Sequence, residues 1–186
     1  MSLRRATADD ASALTRLRAA MLESMGDVAA HGDGSVGAGS DEPWRLCADE
    51  MFARRLSEDP ETFVAFVVED ADGTLVASGV GWISEHLPGP HNVTGRRGYI
   101  ASMSTVPDGR RQGHGRQIVA ALLDWFDERA ISRVDLVATP MGEPLYRSFG
   151  FADHRGAVAL VRRGEEQLPK SAGLDAGDLD SDAACC

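Results

Sequence analysis

The segment from Gly98 to Ala138 constrains the fold more than any other part of the sequence. An apolar run, Gly98 to Thr105, is followed by a glycine-rich turn, a helical pattern to about Arg129 and a second apolar run, Val134 to Ala138. The helix carries its large apolar side chains on one stripe: Ile118, Val119, Leu122, Leu123 and Phe126. A strand, a helix and a strand in this order predict a right-handed parallel crossover. We therefore expect an α/β protein.

The stretch before this crossover predicts a β-hairpin. Phe63 to Val68 and Thr74 to Ala77 flank an Asp72-Gly73 pair, which is a strong signal for a tight turn between antiparallel strands. The strand pair is expected to continue to about Ser84. A short strand is also predicted near the N-terminus, over Leu3 to Ala6.

Two helices are predicted between the first strand and the hairpin. Thr7, with Asp10 three residues later, resembles a capping box, and Leu14, Leu17, Met21 and Met25 follow one helical face. The second helix is expected from Trp44 to Leu56. Gly26 to Pro43, between the helices, holds four carboxylates and no Lys or Arg, so we expect a long loop that is either functional or disordered.

Composition excludes several classes of protein. The 186 residues include 19 Lys plus Arg and 29 Asp plus Glu, and the net charge of −10 argues against binding to nucleic acid or to an anionic membrane. Neither a secretory signal nor a membrane span is visible, so a cytoplasmic protein is expected. Lys170 is the single lysine, and this strong bias toward arginine suggests a bacterial source. The three cysteines and five histidines show no disulfide framework and no metal-ligand spacing, so no metal is predicted.

The C-terminal part predicts the end of the domain. Pro144 to Phe149 is expected to be a short helix and Phe151 to Arg162 a final strand or hairpin. Residues 164–186 carry six carboxylates, one lysine and few large apolar side chains, which predicts a disordered acidic tail. The prediction is thus one domain over residues 1–163 and a tail that holds half of the net charge.

The glycine turn has the composition of an anion site. Gly113 and Gly115, at the start of a helix, let the backbone approach an anion, and Arg110 and Arg111 add positive charge. A tight turn that needs glycine only for packing is one alternative. A dinucleotide-binding turn is another, because Asp135 follows Gly115 by twenty residues. Two details oppose it: Ile118 occupies the third glycine position, and Asp135 lies inside a predicted strand.

Two motifs together resemble one family. Arg110-x-x-Gly113-x-Gly115, preceded by Met103-Ser104-Thr105 on a strand, resembles the acetyl-CoA motif of the GNAT superfamily of N-acetyltransferases. Leu145-Tyr146-Arg147-Ser148-Phe149-Gly150-Phe151 matches that family's Tyr-x-x-x-Gly-Phe element. The resemblance covers Leu3 to about Arg162. It implies an α+β fold with a mixed, mostly antiparallel sheet whose central parallel strands splay apart between flanking helices.

The resemblance also implies roles for particular residues. The backbone of Met103, Ser104 and Thr105 would pair with the pantetheine of acetyl-CoA, and a backbone N–H there would meet the oxyanion. The pyrophosphate of acetyl-CoA would lie beside Arg110. It would be held by the backbone N–H groups of Arg111, Gln112, Gly113, His114, Gly115 and Arg116. Tyr146 would protonate the departing thiolate, since a phenol of pKa about 10 is neutral at pH 7 and close in acidity to a thiol of pKa about 8.5. The alternative is that Tyr146 only packs over the sheet.

The sequence departs from the family pattern at two places. Many members have Asn seven residues before the tyrosine, where this chain has Thr139 followed by Pro140. The strand Gly98 to Thr105 also lacks the carboxylate that some members use as general base. Glu85, His86, Glu69 or a water molecule stay open as the base, and each of these side chains has a solvated-surface alternative.

The acceptor is expected to be the amine of a small molecule or of a protein. The four carboxylates of Gly26 to Pro43 suggest a cationic acceptor, such as a polyamine, an aminoglycoside or a protein N-terminus, unless the segment is only a solvated linker. A non-catalytic acyl-CoA-binding sensor or interaction module of the same fold is the alternative function. A homodimer is the default expectation for the oligomeric state.

Overall fold

The computed structural model describes residues 1–25 and 43–153. Contacts divide the chain into one unit from Met1 to Gly150 and a second from Phe151 to Cys186. The predicted loop from Gly26, the predicted strand beyond Phe151 and the predicted tail therefore lie wholly or mostly outside the described residues. Within the described residues, no helix has both the length and the apolar character needed to cross a bilayer.

The described strands form one mixed sheet. Its order is β1 (Ser2–Arg5), β2 (Phe63–Glu69), β3 (Leu75–Glu85), β4 (Arg96–Thr105) and β5 (Val134–Leu136). The first four strands pair antiparallel, and β4 pairs parallel with β5. The hairpin prediction is confirmed: Asp70 Oδ1 accepts the N–H groups of Asp72 and Thr74 at 2.9 Å, which fixes the turn between β2 and β3.

Helices cover both faces of the sheet. On one face, α1 (Ala11–Met25) and α2 (Pro43–Glu58) pack Leu14, Leu17 and Phe52 against alternate side chains of β2 and β3. On the other face lies α3 (His114–Glu128), whose Ile118, Leu122 and Phe126 are fully buried. The short helix α4 (Glu143–Arg147) follows β5. This arrangement confirms the predicted fold class.

Glycine at position 79 lets α3 and the sheet approach closely. A Cβ on Gly79 would lie inside the contact distance of Met103 Sδ, on β4, and of Ile118 Cγ2, on α3. Met103 therefore points to the α3 face of the sheet. Ser104 points to the opposite face, where its hydroxyl donates to the Leu17 carbonyl at 2.9 Å.

The predicted splay of the parallel strands is present. Strands β4 and β5 pair over only three positions, Gly98 with Val134 to Ile100 with Leu136. The prediction that β5 continues to Ala138 is wrong, because β4 diverges and the residues after Leu136 have no partner strand among the described residues; Val137 is 84% exposed. In the same described part, β4 has an open edge from Ala101 to Thr105.

The first turn of the N-terminal helical segment is tied to the sheet. A 3₁₀ turn, Ala8–Asp10, precedes α1, and the backbone N–H of Thr7 donates to Asp10 Oδ2 at 2.8 Å, as a capping box requires. Arg4 on β1 donates to both oxygens of Asp10, at 2.7 and 2.8 Å, and to Glu69 Oε1 at 2.7 Å. The Arg4 guanidinium holds the pKa of Asp10 below its usual range.

Candidate active site

The glycine turn has the backbone conformation of an anion cradle. Arg111 has φ +61° and Gly113 has φ +85°, so two residues of the turn are left-handed. Alternation between right-handed and left-handed residues turns successive N–H groups toward one point, which is how backbone nests bind anions. A Cβ at Gly113 would meet nothing within 4 Å, so glycine is required there for its φ angle rather than for space.

The N–H groups of this turn are free to bind a ligand. In the part of the chain that the structure describes, none of the backbone N–H groups from Arg111 to Arg116 donates a hydrogen bond to another group. The turn leads into the 15-residue helix α3, whose first turn holds no acidic residue, so the positive end of the helix dipole faces the same point. The turn therefore offers backbone N–H groups and a helix N-terminus to an anion.

The side chains of the turn serve mainly to shape it. Arg110 Nε donates to the Thr105 carbonyl at 3.4 Å, and Gln112 Nε2 donates to the Asp108 carbonyl at 2.8 Å. His114 is turned inward and 5% exposed, and its ring nitrogens have no hydrogen-bond partner among the described residues. Only Arg111 keeps an exposed side chain with no described partner, so it is the cation of the turn best placed for a bound anion.

The two sequence motifs meet in space. A Cβ on Gly115, in the first turn of α3, would lie 3.3 Å from Leu145 Cδ2 on α4. Arg116 Nη1 donates to Ser148 Oγ at 3.0 Å, and the guanidinium lies 5.0 Å from the centroid of the Phe149 ring. Motifs about thirty residues apart in the sequence therefore form one structure at the start of α3.

Tyr146 lies on α4 within this structure and is 8% exposed. Burial raises the pKa of its phenol above the ordinary value, so the phenol is neutral at physiological pH. The α4 N-terminus is set by Thr139, whose carbonyl accepts the N–H groups of Gly142 and Glu143 at 3.0 and 2.9 Å. The residue that replaces the family's expected Asn thus positions the helix that carries Tyr146.

The open edge of β4 contacts the glycine turn, since Arg110 donates to the Thr105 carbonyl, and it contains a β-bulge. Ser78 pairs with Ser104 but Val80 pairs with Ala101, so Ser102 and Met103 together oppose Gly79. Ser102 takes the left-handed φ of +50°. Val106 N–H donates to the Val76 carbonyl on β3, and by the alternation of antiparallel pairing the N–H and carbonyl of Thr105 point to the open edge.

Comparisons with known proteins identify the family of the chain. The sequence model of the acetyltransferase (GNAT) family matches residues 30–151 of the chain. The chain belongs to this family. It is therefore an acyltransferase, and acetyl-CoA is the donor that the family uses. A comparison with curated protein sequences gave no match.

Solved structures show the same GNAT fold. A predicted acetyltransferase from Clostridium acetobutylicum, determined with acetyl-CoA, superposes with a TM-score of 0.71 and 25% identity over 86% of this chain and 95% of that one. A GCN5-related N-acetyltransferase from Ralstonia eutropha superposes with a TM-score of 0.67 and 26% identity, over 86% of this chain and 97% of that one. Glucosamine-6-phosphate N-acetyltransferase from Arabidopsis thaliana has a TM-score of 0.61 and 18% identity, over 87% of this chain and 97% of that one. This is a likeness in fold alone.

The GNAT fold does not bring the candidate bases to the bulge. Glu85 pairs with Arg96 at the opposite end of β4, about 20 Å from Ser102 at a rise of about 3.3 Å per residue, and His86 follows Glu85. Glu69 lies on β2, two strands away from β4, where its carboxylate accepts the Arg4 guanidinium. These side chains are thus outside the region formed by the turn, Tyr146 and the open edge.

Sequence reasoning missed Arg18, which reaches the bulge from α1. Its Nη1 donates to Ser102 Oγ at 2.6 Å. The signal was present in the helical spacing: Arg18 follows Leu14 by four residues and precedes Met21 by three, so a cation occupies the apolar face. Burial lowers the pKa of Arg18 below its ordinary value, although the guanidinium still carries its charge at pH 7.

Proposed function

We propose that the protein is an acetyl-CoA-dependent N-acetyltransferase that moves the acetyl group to a primary amine of a small molecule or protein by direct attack. The observation that carries the proposal is the contact of the turn with two other parts at the start of α3: Arg110 Nε donates to the Thr105 carbonyl on the open edge of β4, and Gly115 lies against Leu145, the neighbour of Tyr146 on α4. Each part suits a different portion of the donor, which supplies an acetyl group activated as a thioester.

Donor binding is assigned to backbone groups. The N–H groups of Arg111 to Arg116 would hold the pyrophosphate, with the exposed Arg111 guanidinium beside it. The open edge formed by Met103, Ser104 and Thr105 would pair with the pantetheine. Because Thr105 directs its N–H to that edge, it would also meet the charge that develops on the acetyl oxygen.

The proton balance assigns Tyr146 its role. The amine nitrogen forms a bond to the acetyl carbon, the carbon–sulfur bond breaks, and the sulfur leaves with the electron pair. The neutral phenol of Tyr146 would donate a proton to this thiolate and recover one from the amine through solvent. Since Glu85, His86 and Glu69 lie away from the bulge, we assign removal of the amine proton to water.

A non-catalytic module that binds acyl-CoA is the alternative that the sequence leaves open. Membership of the acetyltransferase (GNAT) family opposes it, because that family transfers an acetyl group from acetyl-CoA. The cytoplasmic location, the bacterial source and a homodimer stay predictions of the sequence.

Calorimetry with acetyl-CoA, followed by a thiol-release assay over a panel of amines, separates the two functions. We expect binding, and release of CoA that depends on one class of amine. Binding without release for any amine would favour the module, and loss of both would remove the assignment of the turn to the donor.

A further inference from the structure

Arg18 is a half-buried cation without a carboxylate partner in the described ranges. Its contact there is the hydroxyl of Ser102, and no Asp or Glu of residues 1–25 and 43–153 lies within 4.0 Å of its guanidinium. Arg4, Arg55 and Arg129, by contrast, each pair with a carboxylate. One hydroxyl satisfies few of the five N–H donors of a guanidinium.

Arg18 reaches the bulge from the face of the sheet that α1 covers, opposite to the face that α3 covers. Ser102 is the left-handed residue of the bulge, and Ser104 beside it contacts the Leu17 carbonyl, so α1 lies against this part of β4. The N–H cradle is at the start of α3, which covers the other face of the sheet. With the donor entering from the α3 turn, an amine that reaches the acetyl carbon at the open edge comes next to the bulge and to Arg18.

We propose that Arg18 binds an oxyanion on the acceptor, a carboxylate or a phosphate, so that the enzyme acetylates amines that carry such a group close to the nitrogen. A guanidinium offers parallel N–H groups that match either oxyanion in a two-pronged contact. The inference rests on the proposed function. It narrows the cationic acceptors suggested by the acidic segment at Gly26 to Pro43 to zwitterionic ones, and it excludes polyamines and aminoglycosides.

The test uses acceptors in matched pairs. Phenylalanine is compared with phenethylamine, and phosphoethanolamine with ethanolamine. Each pair is measured with the native full chain, with Arg18→Gln and with a control, Arg16→Gln, which changes an exposed arginine of the same helix. We expect the native protein to prefer the oxyanion-bearing member of one pair by about tenfold or more in kcat/KM. In Arg18→Gln that preference should vanish through a higher KM, while the neutral member changes by less than about twofold and Arg16→Gln behaves as the native protein.

Ser102→Ala separates recognition from support of the bulge. If Arg18 only holds the bulge, Ser102→Ala and Arg18→Gln will lower activity equally for both members of a pair, and the inference is overturned. If Arg18 binds the acceptor, Ser102→Ala keeps the preference. A preference for phenylalanine over phenethylamine would indicate a site for a carboxylate, and a preference for phosphoethanolamine over ethanolamine would indicate a site for a phosphate.

Calorimetry of the same compounds in the presence of CoA keeps the two proposals apart. Oxyanion binding that is lost in Arg18→Gln, without thiol release, would contradict the proposed function but support the anion site. Thiol release without any Arg18-dependent preference would contradict the inference and leave the proposed function standing.

Discussion

Among single residues, Tyr146 is the one whose burial bears most directly on the proposed reaction. Because burial raises the pKa of its phenol, the ring keeps its proton at neutral pH, and this is the proton that we propose it donates to the leaving thiolate. In Tyr146→Phe we expect kcat to fall by about 100-fold or more, since positioned proton transfer contributes roughly 10² to 10⁴ in rate. The dissociation constant of acetyl-CoA, measured by calorimetry, should stay within about twofold because the ring is kept.

An unchanged kcat in Tyr146→Phe would remove the residue as the acid and leave it a packing residue. A fall in kcat together with a large loss of affinity would instead show that the hydroxyl holds the donor. Thiol-release rates at saturating acetyl-CoA distinguish these outcomes.

A substitution at Gly113 tests the proposed anion cradle, because the φ of +85° at this residue shapes the turn. Gly113→Ala costs about 1 to 2 kcal/mol if the left-handed conformation is kept, so the turn should relax and acetyl-CoA affinity should drop by about tenfold. Gly73→Ala is the matched control: Gly73 has φ +80°, has nothing within 4 Å of its would-be Cβ and lies in the β2–β3 turn. Equal affinities in the two variants would contradict the role of the Gly113 turn.

Sequence reasoning reaches some residues of the candidate site and not others, for a physical reason. The turn, the open edge and Tyr146 each belong to a short, continuous motif, so the order of the residues is enough to predict these parts of the candidate site. Arg18 and Ser102 meet across 84 positions through a bulge. A strict alternation of side chains from Gly98 would place Ser102 and Ser104 on the α3 face of the sheet. The one extra residue of the bulge in β4 turns both side chains to the α1 face instead.

At the scale of elements, local signals predict the hairpin, the crossover and the helices to within a few residues. They fail where the end of an element is set by its partner. The apolar letters of β5 continue to Ala138, but the strand ends at Leu136 because β4 has moved away. The helical pattern places Met25 on the buried face of α1, whereas it is 39% exposed at the helix end.

The link between β1 and the turn before α1 should contribute to stability. Asp10→Asn removes a charge-assisted pair with Arg4, and we expect a loss of about 1 to 2 kcal/mol in the free energy of unfolding at pH 7, below the full value for a charged bond because Arg4 is partly exposed. Urea unfolding measures it. Asp9→Asn, an exposed neighbour in the same turn, is the control and should change stability by less than about 0.5 kcal/mol.

The pH dependence of that loss has a fixed sign. The folded-state pKa of Asp10 is lowered, so its stabilisation is fully present above the unfolded value of about 3.9 and is lost as the pH falls through the folded value. The difference between the native protein and Asp10→Asn should therefore shrink below about pH 4. A difference that stays constant as the pH falls from about 5 to about 2 would assign it to packing instead.

At the scale of the whole molecule, the fold reconciles an acidic chain with an anionic donor. The net charge of −10 opposes binding to polymeric phosphate, whereas the candidate site offers oriented N–H groups at one helix end. Half of that charge belongs to residues 164–186, outside the described part. Local backbone geometry, rather than total charge, thus leaves room for a small phosphate-bearing ligand.

Donor binding should therefore stabilise the whole folded unit, because the cradle forms only where α3, α4 and β4 are assembled. At a free acetyl-CoA concentration of 100 times its dissociation constant, the free energy of unfolding should rise by about 2.7 kcal/mol. For a domain of about 150 residues this raises Tm by roughly 5 to 10 °C, measurable by calorimetric scanning. NAD also carries an adenosine diphosphate and serves as the control: it should give no shift at the same concentration, and Gly113→Ala should reduce the shift with acetyl-CoA. A shift with NAD and none with acetyl-CoA would return the turn to the dinucleotide-binding class.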